Sequence, residues 1–253
     1  MNIDRPGLFE AARSNPARAM DIIREQPAAA RVRFNGESLL HVTSSSALAR
    51  LCLQHGANPH ARTAKLRTPL HVVRNVYVCR VLVDAGADIH ARDELGCTPI
   101  FWAIYSQRRT VCRWLIERGA DLNVQHKYGD SPLHFAVMEP SNAIVQDLVQ
   151  AGADLTLRNH HGWTPLYTAI VDGRPRHALL LLNAGADPNG IDPMKHSALC
   201  GAVHQNWIQV VDRLFQCGAS LEIADRAWGQ PLERLTDSPR MHRLIKAWRR
   251  KLR

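Results

Sequence analysis

The chain of 253 residues contains no run of about 20 apolar residues, so nothing in it reads as a membrane-spanning helix. Its N-terminus lacks a basic stretch leading into an apolar one, because Asp4 and Pro6 intervene, and a soluble, unprocessed chain is expected. Cysteine is sparse. The six thiols at Cys52, Cys79, Cys97, Cys112, Cys200 and Cys217 show no C-x-x-C spacing, which disfavours disulfides and zinc and suits buried thiols in a reducing, cytoplasmic compartment. A Gly-rich phosphate loop, a nucleophile elbow and a metalloprotease helix motif are also missing, so neither an enzyme with a small-molecule substrate nor a cofactor is expected. Acids are missing from one place in particular. Residues 240–253 carry Arg240, Arg243, Lys246, Arg249, Arg250, Lys251 and Arg253 with no Asp or Glu, and of a formal charge of +9 this leaves +2 for the rest. The usual inference from a basic chain, a nucleic-acid or anionic-membrane partner, therefore attaches to this tail alone.

What the sequence has instead is punctuation. Thr98 can cap a helix with its hydroxyl, Pro99 suits the first helical position, and the apolar run Phe101 to Tyr105 follows. After polar residues 106–110, a second apolar segment, Val111 to Ile116, ends at Gly119, which suits the left-handed conformation that closes helices. Two helices this short cannot stand alone in water and must bury their faces on neighbours. The Thr98-Pro99 slot recurs at Ser38, Thr68, Ser131-Pro132, Thr164-Pro165, Ser197 and Gln230-Pro231, in steps of 30, 30, 33, 33, 33 and 33. A Gly-Ala pair recurs in phase at Gly56, Gly86, Gly119, Gly152, Gly185 and Gly218.

A 33-residue period carrying Thr68-Pro69-Leu70-His71 and Gly-Ala-Asp resembles the ankyrin repeat across nearly the whole chain. The resemblance implies an all-α fold, a solenoid of stacked helix-turn-helix units with β-turn fingers and a concave binding surface; it names no partner. Residues 1–33 are expected to be a degenerate N-terminal cap, followed by six repeats at 34–62, 63–92, 93–125, 126–158, 159–191 and 192–224. Residues 225–253 are expected to cap the other end with a basic amphipathic helix, and the whole to form one elongated domain. The two repeats that are three residues short require a tighter turn between their helices. Thr43 to Ser46 and Val76 to Val78 are weak helix formers, which makes this the less stable end.

Chemistry is weighed slot by slot. His41, His71 and His134 occupy the motif histidine, where the resemblance gives them a structural hydrogen-bonding role. His126, His160 and His161 lie on adjacent fingers, too far apart to converge on one metal. Trp102 and Trp114 fall at core slots. Partner information must reside where units disagree, which is at Lys65, Arg67, Glu94, Leu95, Lys127, Tyr128, Asp130, His160, His161 and Trp163 on the fingers. On the inner faces the corresponding residues are Tyr105, Ser106, Met138, Glu139 and Asp172. Aromatics mixed with both signs of charge suit a protein partner. The expected function is a noncatalytic, monomeric protein-interaction scaffold. The alternatives are a tail that binds nucleic acid or anionic membrane with the repeats positioning it, and a secreted effector or enzyme regulator acting on a host or cellular protein.

Overall fold

The computed structural model describes residues 3–252 apart from positions 193 and 195. Thr68-Pro69, Thr98-Pro99, Ser131-Pro132, Thr164-Pro165 and Ser238-Pro239 each start a helix as the sequence implies. The chain divides into two compact units, Met1–Asp121 and Leu122–Arg253.

The first unit contains α1 (Arg5–Ser14), α2 (Pro16–Glu25), a 3-10 turn (Pro27–Arg31) and the hairpin β1 (Arg33–Phe34) and β2 (Glu37–Ser38). It continues with α3 (Leu39–Val42), α4 (Ser46–Gln54), α5 (Pro69–Val72), α6 (Val76–Asp84), α7 (Pro99–Tyr105) and α8 (Arg109–Glu117). Asn35 and Gly36 both take positive φ, which matches the twist of a two-residue hairpin. The inner helices α1, α3, α5 and α7 pack in sequence, as do the outer helices α2, α4, α6 and α8. Leu39, Leu48, Leu70, Leu82, Ile100 and Leu115 are fully buried between them. Each contributes about 1.5–3 kcal/mol, which is what holds helices of four to ten residues.

The two short repeats correct one expectation. The turn between inner and outer helix is not tightened: residues 43–45 and 73–75 are three-residue links, as are 106–108 in the full-length repeat. The missing residues come out of the inner helix, with α3 and α5 four residues long where α7 has seven. Removing nearly one turn lets the chain leave the helix at a similar azimuth, so the same link still reaches the outer helix, whose caps Ser45 and Asn75 accept from Leu48 and Val78 N–H.

The second unit contains α9 (Pro132–Met138), α10 (Asn142–Gln150), α11 (Pro165–Val171), α12 (Pro175–Asn183), α13 (Ala198–His204), α14 (Ile208–Gln216), α15 (Leu221–Trp228), a 3-10 turn (Leu232–Leu235) and α16 (Pro239–Lys251). Leu133, Leu166 and Leu199 are buried between its inner helices. The boundary expected between 224 and 225 falls inside α15. Ser220 accepts the Ile223 N–H, Leu221 and Ala224 are buried, and Gly229 in the left-handed region ends the helix, so a helix stands where a finger was expected. Leu232, fully buried in the 3-10 turn, fills the inner-helix place.

Three sets of side chains tie successive repeats within each unit. Nδ1 of His41, His71 and His134 accepts the backbone N–H of Ser38, Thr68 and Ser131, which fixes the neutral tautomer, so Nε2 donates to the next repeat at Arg67, Cys97 and Trp163 carbonyls. In the same slot, Tyr167 donates to Asp192 and Cys200 to the Ala224 carbonyl. Along the fingers, Arg33 and Arg62 in the first unit and Gln125 and Arg158 in the second each bond a carbonyl of their own finger and one of the next. Asn75, Arg108, Arg174 and Gln205 close carbonyls at or just past the end of the preceding inner helix. Among the described residues no helix is long and apolar enough to cross a membrane.

Candidate functional site

The fingers are built by the residue that opens each one. Asp93 Oδ1 accepts the N–H of Leu95 and Cys97, Asn159 Oδ1 accepts those of His161 and Trp163, and His126 Nδ1 accepts that of Asp130. His126 is thereby a buried turn residue, while His160 and His161 are exposed. Neighbouring fingers touch by backbone: Glu94 N–H donates to Lys65 in the first unit, His160 N–H to Tyr128 in the second. Gly129 allows that second approach, because a Cβ there would lie 2.6 Å from His160 N.

In the first unit the structure brings Arg67, Trp102 and Tyr105 together. The Arg67 guanidinium lies 3.7 Å over the Trp102 ring, whose indole N–H donates to Asp93, and Tyr105 meets Trp102 edge-on at 5.9 Å. Trp102 was expected in the core. It is half-buried instead, because a buried carboxylate takes its N–H and draws the ring to the finger side. Trp114 is buried as expected. Lys65 and Glu94 are exposed, whereas Leu95 and Ser106 are half-buried.

In the second unit Tyr128 is 55% exposed and stands edge-on to His126, while Trp163 is half-buried between His161 at 4.9 Å and Tyr167 at 5.7 Å. Asp130 accepts from Asn159, and Lys127 is exposed. Met138 and Glu139 are half-buried at the C-terminal end of α9. Burial first, and then the Asp130 charge, raise the Asp172 carboxyl pKa against the opposing pull of Arg174. Asp172 is exposed just past the end of α11.

The tail separates into two sides. Arg249 donates to Asp225 and to Glu233, both with two nitrogens or two oxygens engaged at 3.0–3.3 Å, and these bonds push its pKa up. Trp248 stacks on Phe215 and donates to Asp212, and Met241 and Ile245 are fully buried. Arg249 is therefore part of the cap and not of a free basic surface. Leu252, just past the end of α16, is 54% exposed. Arg240, Arg243, Lys246, Arg250 and Lys251 are exposed on the other side, with Lys251 Nζ also 4.5 Å from the Trp248 ring. Arg253 lies outside the described residues.

Nothing in these faces is arranged as a nucleophile and base. The six cysteines are free, and burial pushes Cys52 and Cys79 up to about 12, far from a reactive thiolate. Among the described residues no three His, Cys, Asp or Glu are gathered around a metal position.

The repeats agree with a model of tandem ankyrin repeats, three copies to each match, at residues 40–126, 72–159 and 133–225. The chain belongs to the ankyrin-repeat family. Among solved structures, this ankyrin-repeat protein is similar to the ankyrin repeat domain of Bcl-3, described as a unique member of the IkappaB protein family. The TM-score is 0.70 and the identity 26%, over 82% of this chain and 97% of that one. No curated protein sequence matches it. Ankyrin repeats are, as a class, protein-protein interaction modules that typically do no catalysis, and the solenoid seen in each unit is theirs.

Proposed function

We propose that the chain is a noncatalytic scaffold that binds a protein partner through the finger and inner-helix faces of its units. The observation that carries this is the grouping of aromatics with charges of both signs on these faces: Tyr105 and Tyr128 are 60% and 55% exposed, beside half-buried Trp102 and Trp163. Such anchors commonly carry about 2 kcal/mol each. The test is calorimetry with a partner captured from native lysate, using Tyr105→Ala for the first unit, Tyr128→Ala with Trp163→Ala for the second, and all three together. More than tenfold weaker binding with unchanged circular dichroism supports the reading; unchanged affinity moves the site to the outer helices or the tail. A cytoplasmic monomer is part of the same proposal, with sedimentation and fractionation as its checks.

A second reading is favoured by the five exposed cations on the outer side of α16, which suit nucleic acid or anionic lipid with the repeats as positioning frame. Salt-dependent retention on duplex DNA or phosphatidylserine vesicles, lost in Arg240→Glu/Arg243→Glu/Arg250→Glu, would support it.

A further inference from the structure

The two short repeats have a consequence for the surface of the first unit. Because α3 and α5 each lack three residues, they stop about 4.5 Å short of a seven-residue inner helix. The order α1, α3, α5, α7 then leaves a notch two helices wide, walled by ten-residue α1 and seven-residue α7. A cavity of about 250 Å³ lies there. Val42 and Val72, the last residues of the shortened helices, form part of its lining, with Arg13, Arg74, Trp102 and Arg108 around them.

The charge of this notch is not balanced from within. Its carboxylate, Glu37, is engaged by Arg13 at 3.1 Å. His41 and His71 also line it, and both are neutral because Nδ1 of each accepts a backbone N–H. Arg108 donates to the carbonyls of Val72 and Val73, acceptors that hold the side chain in place and leave its charge unopposed. Arg74 is exposed and has no hydrogen bond or ion pair among the described residues. Arg74 and Arg108 line the same cavity, and burial first, then the like charge of Arg74, lower the Arg108 pKa. Beside them stand Trp102 and Tyr105 at 5.9 Å.

We infer that this notch takes a Glu or Asp side chain from an acidic segment of a protein partner, with Arg74 and Arg108 holding the carboxylate and Trp102 and Tyr105 contacting the neighbouring residue. The inference deepens the protein-binding reading and rests on it. A guanidinium presents a planar fork that matches a carboxylate, and a recess of this size admits one side chain, whereas a nucleic-acid backbone is tracked by an open stripe of cations. The surroundings favour the same sign. Residues 1–121 carry 17 Lys and Arg against 11 Asp and Glu, a net +6, while the second unit carries 15 against 12, a net +3 that comes from residues 240–253, so outside that tail an acidic segment is attracted to the first unit.

The probe is a fluorescein-labelled ten-residue peptide rich in glutamate with one leucine, titrated into the full chain by anisotropy at low salt. A lysine-rich peptide of the same length and a version with phosphoserine at the central glutamates serve as comparisons. Binding of the glutamate peptide and not of the lysine peptide is expected, weakened at least tenfold by Arg74→Glu and less than twofold by Arg240→Glu/Arg243→Glu/Arg250→Glu. Arg74 makes no bond that folding needs, so an unchanged melting temperature should accompany the loss. The inference is overturned if the glutamate peptide does not bind, if Arg74→Glu changes nothing, if the tail variant abolishes binding, or if the phosphoserine peptide binds tenfold tighter, which would make the ligand a phosphate. Measured on a captured partner, the two readings part company. Weakening by the aromatic variants but not by Arg74→Glu removes the notch and keeps the protein-binding surface; insensitivity to both removes both.

Discussion

Acidifying the protein should destabilise it, and three histidines set the scale. His41, His71 and His134 are buried, and burial holds the pKa of each below the ordinary value of 6.5 against the opposing effect of the carbonyl that its Nε2 donates to. In the unfolded chain each titrates near 6.5. Below that pH the unfolded state binds protons that the folded state refuses, so the contribution is complete above 6.5 and shrinks as pH falls toward the folded values. A histidine that stays neutral when folded loses about 1.4 kcal/mol at one unit below its unfolded pKa, so these three contribute at most about 4 kcal/mol at pH 5.5, to which buried His177, its pKa likewise lowered by burial, adds up to a further ~1.4 kcal/mol. The protonated ring would also face the backbone N–H of Ser38, Thr68 or Ser131 with a donor where an acceptor is required. Urea titrations followed by circular dichroism at pH 7.5, 6.5 and 5.5, on the intact chain and on His134→Gln, read the effect directly. Stability that is flat or rises between 7.5 and 5.5 would refute the tautomer assignment. So would a His134→Gln protein with the full pH dependence.

Other outcomes follow from packing and backbone geometry. Leu166→Ala should cost about 2–5 kcal/mol by denaturation, since Leu166 is 1% exposed; a loss below about 0.5 kcal/mol would mean the slot is not core. Arg249→Ala should cost about 1–3 kcal/mol and lower the unfolding midpoint, because it leaves Asp225 and Glu233 without the guanidinium that joins them; an unchanged midpoint would show that the tail does not cap the second unit. Leu66→Gly should raise the melting temperature by about 1–2 °C. Leu66 sits at φ +58° and is 45% exposed, at a fingertip place that Gly36, Gly96, Gly129 and Gly162 fill elsewhere, and a fall in melting temperature would show that its side chain packs usefully.

Caps, glycines and the repeat period were legible because each is a local conformational demand: Ser131 and Pro132 start α9 wherever the chain goes, and Gly152 closes α10 by its own φ. The buried leucines were legible for the same reason, as their spacing defines one face. Misreadings arose where a tertiary partner outvoted the slot. Trp102 leaves the core because Asp93, nine residues earlier, takes its N–H, and Arg249 leaves the basic surface because Asp225 and Glu233 close on it from other segments. The boundary expected between 224 and 225 falls inside α15 because Ser220, outside the Thr-Pro slots, caps a helix there. The notch was announced by the two 30-residue steps. What those steps could not reveal is which part of the repeat yields, and that depends on keeping the three-residue link in phase with the outer helix.

The rungs made by Arg33, Arg62, Gln125 and Arg158 cross from finger to finger by bonding carbonyl oxygens, atoms that every residue possesses. The fingers are consequently held in place without reference to the side chains they display. Positions such as Lys65, Glu94, Lys127 and His160 are free to drift under selection, or to be randomised in a library, while the register of the fingers persists. Such a frame can acquire a new target by changing its fingertips alone, and the rung positions are the ones that a designer would leave untouched.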